Sequence, residues 1–344
     1  MKKKILVTGG TGYIGSHTTV ELIENGFEVV IIDNLYNSEA EVVDNIYQIT
    51  GTRPELQVFD ICDIEKLESF FRTYKNITGI IHFAAYKAVG ESVYKPIEYY
   101  RNNLLSLINL LDAMKTHGIP GFVFSSSCTV YGQPDKLPVS EDSPIQPAMS
   151  PYGNTKRIGE EIIRDTMAAN KKLKAISLRY FNPIGAHPSA LIGELPRGVP
   201  ENLVPFITQT AYGLREELKV FGNDYNTPDG SCIRDYLHVV DLARAHVTAI
   251  KRLIENNNKS NFEVFNLGTG QGVSVLEAIA SFEHVTGIKL KYRITGRRAG
   301  DIEKIWADPS LANKELGWKT VSSLDDAMKS AWEWEKYFRK NKTK

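Results

Sequence analysis

Short apolar runs alternate with longer amphipathic segments over the first half of the chain. Lys4 to Thr8 is an apolar run that predicts a buried strand, and the apolar spacing from Gly12 to Asn25 predicts a helix. Glu28 to Asp33 predicts the next strand. Further strands are predicted at 56–60, 79–83, 121–125 and 174–180, and further helices at about 38–50, 63–75, 96–117 and 151–170. This alternation predicts an α/β fold with a doubly wound parallel sheet and right-handed crossovers.

The alternation ends after Phe181. Residues 182–205 contain five prolines and lack a regular apolar period, so we place a domain boundary between residues 181 and 182. The prediction is a first domain at 1–181 and a smaller α+β domain at 182–344. Segments near 231–240 and 262–268 have a strand-like pattern and are expected to rejoin the first domain.

Composition and charge narrow the class of protein. Apolar residues make up 42% of the chain and charged residues 24%, as in an ordinary folded protein. The 41 basic and 41 acidic residues cancel, which gives no argument for a nucleic-acid or membrane partner. No apolar stretch approaches the length of a membrane span. Cys62, Cys128 and Cys232 are far apart, which argues against disulfides and a zinc site and is typical of the reducing cytoplasm.

A glycine-rich turn joins the first predicted strand to the first predicted helix. In the pattern Gly9-x-x-Gly12-x-x-Gly15, the glycines permit a tight turn, a close approach to a pyrophosphate and close helix packing. The helix N-terminus favours phosphate anions. Asp33 ends the second strand, where a carboxylate would bind the adenosine ribose hydroxyls and repel a 2′-phosphate, and residues 34–38 contain no Lys or Arg. We predict a Rossmann site for NAD rather than NADP; the alternative is a turn and a capping Asp without a ligand.

A second group of candidate residues follows the fifth predicted strand. Ser150 and Pro151 are typical of a helix start, which places Tyr152 and Lys156 at i and i+4 on one helix face. A tyrosine base needs a pKa well below about 10, and an ammonium, a nicotinamide pyridinium and a helix N-terminus all lower it. The strand that ends in Ser125–Ser127 would bring a hydroxyl to the ligand-binding edge of the sheet. The alternatives are an exposed helical pair and serines that satisfy a turn.

Together the glycine turn, the strand-end serine and Tyr-x-x-x-Lys resemble the extended short-chain dehydrogenase/reductase superfamily, and within it the UDP-glucose 4-epimerases, also called UDP-galactose 4-epimerases. The resemblance runs along nearly the whole chain. Its motifs lie at 82–85, 87–92, 95–100, 125–132, 150–153, 178–183, 229–230, 234–241, 300–301 and 306–308.

The resemblance implies roles for individual residues. Tyr152 is expected to be the catalytic base at the sugar 4-hydroxyl, Lys156 to bind the nicotinamide ribose and tune Tyr152, and Ser127 to help the proton move. Expected cofactor contacts are Gly9, Gly12, Tyr13, Ile14, Gly15, Asp33, Asn34, Asn37, Ser38, Asp60, Ile61, Phe83, Ala84, Lys87, Asn102, Tyr152, Lys156 and Tyr180. Expected substrate contacts are Lys87, Ser127, Tyr152, Phe181, Asn182, Asn202, Leu203, Phe221, Arg234, Tyr236, Arg298, Asp301 and Ile305.

The reaction implied by the resemblance is a reversible interconversion of UDP-glucose and UDP-galactose. C4 is oxidised to a ketone, the sugar rotates, and tightly bound NAD returns the hydride. The resemblance also implies a homodimer paired through helices near 96–117 and 155–170. In the family, the residue at the position of Ile305 limits the space for the sugar 2-substituent. Ile is stiff at this position, so we expect N-acetylated UDP-sugars to be poor substrates.

Two other functions compete with this interpretation. Dehydratases of the superfamily carry Thr-Asp-Glu where this chain has Ser127-Cys128-Thr129, so the acid–base pair for dehydration is missing. A non-catalytic NAD-binding sensor typically lacks the Tyr or the Lys, and both Tyr152 and Lys156 are present.

Overall fold

A seven-stranded parallel sheet forms the centre of the computed structural model, which describes residues 2–298 and 301–342. The strand order is β11-β6-β5-β4-β1-β2-β3, so the chain winds outward from β1 in both directions. This is the doubly wound α/β fold that the alternation predicted. The strands are β1 (Lys4–Thr8), β2 (Glu28–Asp33), β3 (Glu55–Val58), β4 (Ile77–His82), β5 (Gly121–Ser125), β6 (Lys174–Tyr180) and β11 (Phe262–Leu267).

Helices cover both faces of this sheet, which is why its strands are continuous apolar runs. Ile5 and Val7 of β1 face one helical layer, and Leu6 between them faces the other, because successive strand residues point to opposite faces. The helices of the first half, with α8 from the second, are α1 (Tyr13–Glu24), α2 (Val42–Thr50), α3 (Ile64–Thr73), α4 (Val89–Tyr94), α5 (Pro96–His117), α6 (Pro151–Ala169) and α8 (Val239–Ile254).

The remaining elements form small paired sheets beside the large one. β7 pairs with β10, β9 with β12, and β8 with β13. A separate apolar cluster joins α7, α9 and α10. The elements are β7 (Asn182–Ile184), α7 (Leu203–Ala211), β8 (Leu218–Phe221), β9 (Ile233–Arg234), β10 (Tyr236–His238), β12 (Val273–Ser274), α9 (Val275–Thr286), β13 (Tyr292–Thr295) and α10 (Leu324–Lys342).

The two segments of the second half that were expected to rejoin the first domain behave differently. Phe262–Leu267 pairs in parallel with Lys174–Tyr180 and forms an edge strand of the large sheet. Tyr236–His238 pairs instead with Asn182–Ile184, outside that sheet. The division at residue 181 stays a prediction. Among the described residues, no helix combines the length and hydrophobicity that a membrane crossing requires.

Candidate active site

The predicted site residues gather at the carboxyl edge of the large sheet. The glycine turn follows β1, Asp33 ends β2, Phe83 follows β4, Ser125 ends β5 and Tyr180 ends β6. Because all these strands are parallel, their carboxyl ends meet along one edge, where open α/β sheets bind ligands.

The glycine turn leaves no room for side chains. Gly9 has φ +71°, and a Cβ there would lie 2.7 Å from the backbone nitrogen of Ala84. A Cβ at Gly15 would overlap the carbonyl oxygen of Gly9. Gly10, which the sequence analysis did not single out, is also required, since a Cβ there would lie 2.7 Å from Ile31 Cγ2.

Helix α1 begins without a competing anion. Gly12 is its N-cap and supplies no side-chain hydrogen bond, and its first turn contains no acidic residue. The positive end of the helix dipole and its first N–H groups are therefore left for a phosphate. The turn and the helix start fit the pyrophosphate of NAD.

The Asp33 carboxylate also holds the loop that follows it. It accepts hydrogen bonds from Thr11 N at 3.2 Å, Leu35 N at 2.9 Å and Ser38 Oγ at 3.1 Å. Asp33 does not cap a neighbouring helix, as the alternative supposed, since the N-caps of α1 and α2 are Gly12 and Glu41. Its hydrogen bonds to the loop are compatible with a ligand role. Asn34 and Asn37 are exposed on the same loop.

A cation does reach this loop, from far along the chain. Arg197 donates to the carbonyl oxygens of Tyr36 at 2.9 Å and Ser38 at 2.6 Å. These partners are 161 and 159 residues away, so a local sequence window contains no signal for the contact. The guanidinium is directed at backbone carbonyls of the loop.

Other predicted cofactor residues have partners both near and far along the chain. The Tyr13 hydroxyl donates to the carbonyl of Gly185 at 2.6 Å and so ties α1 to the second half of the chain. Ile14 packs on the core, and Phe83 N donates to the carbonyl of Thr8. Beyond β3, Asp60 accepts from Cys62 N, Ile61 is buried, and the Asn102 amide donates to Asn103.

The start of α6 positions Tyr152, the residue predicted to be the catalytic base. Ser150 caps the helix through a hydrogen bond from Gly153 N at 3.1 Å, and Pro151 occupies its first position. Tyr152 and Lys156 are both buried. The Lys156 ammonium lies 5.9 Å from the centre of the Tyr152 ring and donates to the carbonyl of Ser125 at 2.6 Å. The structure thus brings together the three residues predicted to be catalytic.

Burial dominates the electrostatics of this group. It raises the pKa of the Tyr152 phenol well above its usual value, and a hydrogen bond with Ser127 counteracts the rise. It lowers the pKa of Lys156 to about 8. The expectation of a lowered pKa for Tyr152 is not met by the chain alone, because desolvation is the largest influence on the phenol and raises its pKa. The Tyr180 and Ser125 hydroxyls are 2.8 Å apart beside the pair.

Two arginines predicted to bind substrate share one carboxylate. Arg298 donates to Asp301 at 2.7 Å, and Arg234 Nη2 lies 3.9 Å from the same oxygen. The Arg298 guanidinium lies 5.5 Å from the centre of the Phe221 ring. Two guanidiniums and one carboxylate leave a net positive charge, which suits a diphosphate. The neighbouring motif position Gly300 lies outside the described residues.

Lys87 and Asn202, both predicted to contact the substrate, meet on a third residue. Glu194 accepts from Lys87 Nζ at 3.1 Å and from Asn202 Nδ2 at 2.6 Å. Trp334 Nε1 holds the Glu194 carbonyl at 3.1 Å. The sequence analysis missed Glu194, since Lys87 is 107 residues away from it.

The other predicted substrate residues form an apolar wall and its surroundings. Phe181 and Ile305 are 3% and 2% exposed and belong to one cluster with Val139. Asn182 and Tyr236 lie on the paired strands β7 and β10. Leu203 begins α7. No group of three His, Cys, Asp or Glu side chains within residues 2–298 and 301–342 is arranged to hold a metal ion.

The glycine turn and the Ser–Tyr–Lys group both lie at the carboxyl edge of the large sheet. This arrangement is that of an extended short-chain dehydrogenase/reductase. A family model described as GDP-mannose 4,6 dehydratase matches residues 6–331. The UDP-glucose 4-epimerase of Homo sapiens is 48% identical over 342 residues, 98% of this chain and 97% of that protein. The chain belongs to the UDP-glucose 4-epimerase family.

Solved structures agree with this assignment. A UDP-glucose 4-epimerase from Stenotrophomonas maltophila, with bound NAD and formylated UDP-arabinopyranose, is 48% identical with a TM-score of 0.95, covering 98% of this chain and 99% of that one. The Bifidobacterium longum enzyme, in complex with NAD+ and UDP, is 46% identical with a TM-score of 0.93, covering 97% and 98%.

Proposed function

We propose that this chain interconverts UDP-glucose and UDP-galactose through a 4-keto sugar. The buried Ser127–Tyr152–Lys156 group at the carboxyl edge of the sheet carries this proposal. The relatives named above support it, because the reaction is the one their names give. Dehydration is disfavoured, since Ser127-Cys128-Thr129 offers no carboxylate to expel a hydroxyl.

NAD is the cofactor that the turn at Gly9, Gly12 and Gly15 would hold, with Asp33 at the adenosine ribose. Bound NAD would supply the hydride acceptor and donor, and its oxidised nicotinamide would add a positive charge to that of the Lys156 ammonium near Tyr152. The buried positions of Tyr152 and Lys156 exclude water from the reacting centre.

Each catalytic side chain has a defined task in proton transfer. Tyr152 Oη removes the proton from the sugar 4-hydroxyl as the C4 hydride leaves. After the keto sugar has rotated, Tyr152 returns the proton to O4 while the hydride returns to the other face of C4. The Ser127 hydroxyl, which hydrogen-bonds the phenol, stabilises the phenolate. The Lys156 ammonium binds the nicotinamide ribose and adds positive charge to the site.

The substrate must be held by its nucleotide and left free at its sugar. Arg234 and Arg298 are proposed to bind the diphosphate, since a guanidinium grips phosphate oxygens bidentately. Phe181 and Ile305 present an apolar surface that makes few directional contacts with a hexose. This contrast lets the keto sugar rotate while the UDP stays in place.

A coupled assay tests the proposed function. Purified protein with UDP-galactose should form UDP-glucose without added cofactor, because NAD is retained. Adding a UDP-sugar should also produce transient absorbance at the reduced nicotinamide band. Tight NAD binding without turnover of either sugar would instead identify a non-catalytic NAD-binding protein.

Cofactor choice is expected to depend on Asp33. The double change Asp33→Gly with Asn34→Arg should weaken NAD binding and admit NADP, since it replaces a carboxylate by a cation at the ribose. Isothermal titration with both nucleotides measures the ratio. Asp33→Asn is the matched control, which removes the charge without adding a cation and should weaken NAD without tight NADP binding. A wild type that prefers NADP would contradict the assignment.

Ile305 is expected to limit the sugar 2-substituent. Its β-branched side chain is stiff and packed against Phe181, so extra atoms should cost about 1–3 kcal/mol, or about 5–150-fold in kcat/KM. Ile305→Gly should raise the kcat/KM of UDP-N-acetylgalactosamine relative to UDP-galactose. Ile305→Val, which loses one methyl, should give a smaller rise. If the ratio of the two kcat/KM values were unchanged in both variants, residues other than Ile305 would limit the size of the pocket.

Quaternary state, location and domain division complete the proposal. A homodimer through α5 and α6 is supported by Ile97, Leu105 and Ile108, which are exposed on α5. Analytical ultracentrifugation tests the homodimer.

The three free cysteines support a cytoplasmic location. A functional boundary at residue 181 is supported by the substrate residues, most of which follow it.

A further inference from the structure

A buried ion pair lies directly behind the candidate catalytic group. The Arg179 guanidinium on β6 donates to the Glu160 carboxylate on α6, from Nη2 to Oε2 at 2.6 Å and from Nε to Oε1 at 3.0 Å. The two side chains are 3% and 2% exposed. Neither residue is among the predicted site residues, and both lie within the protein interior.

Two serine hydroxyls complete the shell of the Glu160 carboxylate. Ser126 Oγ, from the end of β5, donates to Oε1 at 2.6 Å. Ser177 Oγ, from within β6, donates to the same oxygen at 2.8 Å. A buried carboxylate with all its donors in place forms a rigid network, because any displacement leaves a buried charge unsatisfied.

Fold stability alone does not require this ion pair. Well-packed apolar residues of similar volume generally stabilise a fold at least as well as a buried ion pair. Glu160 lies one helical turn beyond Lys156 on the same face of α6. Its location therefore points to the catalytic group rather than to the general core.

The three serines at the carboxyl end of β5, Ser125–Ser127, connect the ion pair to that group. The Ser125 carbonyl accepts from Lys156 Nζ at 2.6 Å, and the Ser125 hydroxyl lies 2.8 Å from that of Tyr180. Ser127 interacts with the Tyr152 phenol. Ser126 lies between them and is held by Glu160. Because the three residues share one backbone, fixing the middle residue fixes both of its neighbours.

The other end of the ion pair reaches the substrate side. Arg179 Nη1 donates to the Tyr131 hydroxyl at 2.9 Å, which donates to Asn266 Oδ1 at 2.6 Å. Asn266 Nδ2 donates to the carbonyl of Val139 at 2.9 Å, and Val139 N donates to the carbonyl of Trp306 at 2.9 Å. Trp306 follows Ile305 in the chain. The buried hydrogen bonds thus run from the serine segment to the proposed sugar wall.

We propose that Glu160 is a positioning residue for the reaction. Bonded to Arg179 and Ser126, it holds the Ser125–Ser127 segment against α6. It thereby sets the acceptor of the Lys156 ammonium and the direction of the Ser127 hydroxyl. This inference rests on the proposed function, since the geometry it maintains serves proton transfer at Tyr152.

Glu160 also supplies the negative charge that Lys156 faces. Burial lowers the pKa of Lys156 to about 8, and Glu160 raises it. The Arg179 guanidinium, paired with Glu160, is the other charged group here, whereas His82, Tyr180 and Tyr152 are neutral near pH 7. Burial lowers the pKa of His82 on β4 to about 3, raises that of Tyr180 on β6 to about 12, and raises that of Tyr152 on α6 itself.

Two serine variants separate positioning from structure. Ser126→Ala and Ser177→Ala each remove one buried hydroxyl from the same carboxylate oxygen, so their unfolding temperatures should fall by similar amounts. Only Ser126 is joined to Ser125 and Ser127. We expect Ser126→Ala to lower the kcat for UDP-galactose by about 10–100-fold with little change in KM, since misplacement by about 1 Å has effects of this size. Ser177→Ala should stay near wild-type kcat.

A charge variant provides a second readout. Glu160→Gln should move the alkaline limb of the kcat profile to lower pH, because loss of the carboxylate lets Lys156 deprotonate earlier. Ser126→Ala should leave that limb in place. If the buried Arg179 charge prevents Glu160→Gln from folding, Glu160→Gln with Arg179→Gln removes both charges and should give a smaller shift in the same direction, since Arg179 is farther from Lys156 along the pair.

The outcomes are distinguishable from failure of the proposed function. A wild type that does not convert UDP-galactose overturns the proposed function before any variant is compared. A wild type that does, with equal kcat in Ser126→Ala and Ser177→Ala, overturns the positioning role alone. An alkaline limb that does not move in the charge variants overturns the electrostatic role of Glu160.

Discussion

Replacing Tyr152 with phenylalanine is expected to lower the kcat for UDP-galactose by about 10²–10⁴-fold, the usual contribution of a positioned acid–base group. The change removes only the phenol oxygen, so the packing of the start of α6 is preserved. NAD should remain bound, because the glycine turn that would hold its pyrophosphate is untouched. Steady-state kinetics and the nucleotide released from denatured protein measure the two effects.

Tyr74→Phe is the matched control for this change. The Tyr74 hydroxyl donates to Glu55 at 2.7 Å, near the start of β3 and away from the candidate site. The Tyr74→Phe variant should keep wild-type kcat although it also loses a phenol hydrogen bond. If Tyr152→Phe retained more than about a tenth of wild-type kcat, the loss would be smaller than an acid–base group normally causes. That result would contradict a role of Tyr152 in proton transfer.

Gly15→Ala is expected to abolish cofactor retention. A Cβ at this position would overlap the Gly9 carbonyl oxygen, so the turn must open or α1 must move. Either movement displaces the first N–H groups of α1, and a displacement of about 1 Å can lower activity by about 10²-fold. The purified variant should carry little NAD and show at least that loss of turnover, partly restored by added NAD.

Gly296→Ala controls for the chemistry of the substitution. No atom lies within 4 Å of a Cβ built at Gly296, and its φ lies outside the left-handed region. It should therefore bind NAD and turn over substrate as the wild type does. Circular dichroism distinguishes a local change in the turn from unfolding. A folded Gly15→Ala that retained NAD fully would contradict the assigned role of the turn.

Sequence pattern predicted the large sheet well because its physical cause is local. Strands covered on both faces by helices must be apolar throughout, as Ile5, Leu6 and Val7 are in β1. The short strands of the second half lacked this signal. β10 has only three residues, and the apolar pattern along the chain does not predict that it pairs with β7. The pattern therefore assigned the segment that contains β10 to the large sheet, whereas in the structure β10 pairs with β7 outside that sheet.

Electrostatic expectations were less successful than positional ones. The spacing of Tyr152 and Lys156 indicated that they share a helix face, and the structure has both buried side by side. The pattern could not show how much water burial removes from each group. Desolvation is the largest influence on the pKa of Tyr152 and raises it, and the Ser127 hydroxyl only partly counteracts the rise. The direction of the shift depends on packing by residues from several strands.

The sequence by itself determined the parallel sheet, the cramped glycine turn, the carboxylate at the end of β2 and the Ser–Tyr–Lys group, because each depends on neighbours within one or two turns or on strand-end position. Only the tertiary structure decided that Arg197 binds the loop after β2, that Glu194 joins Lys87 to Asn202, and that Glu160 pairs with Arg179 behind the Ser125–Ser127 segment. These contacts unite distant segments. Their energies come from buried charges and hydrogen bonds, which exist only once the chain has excluded water from between them.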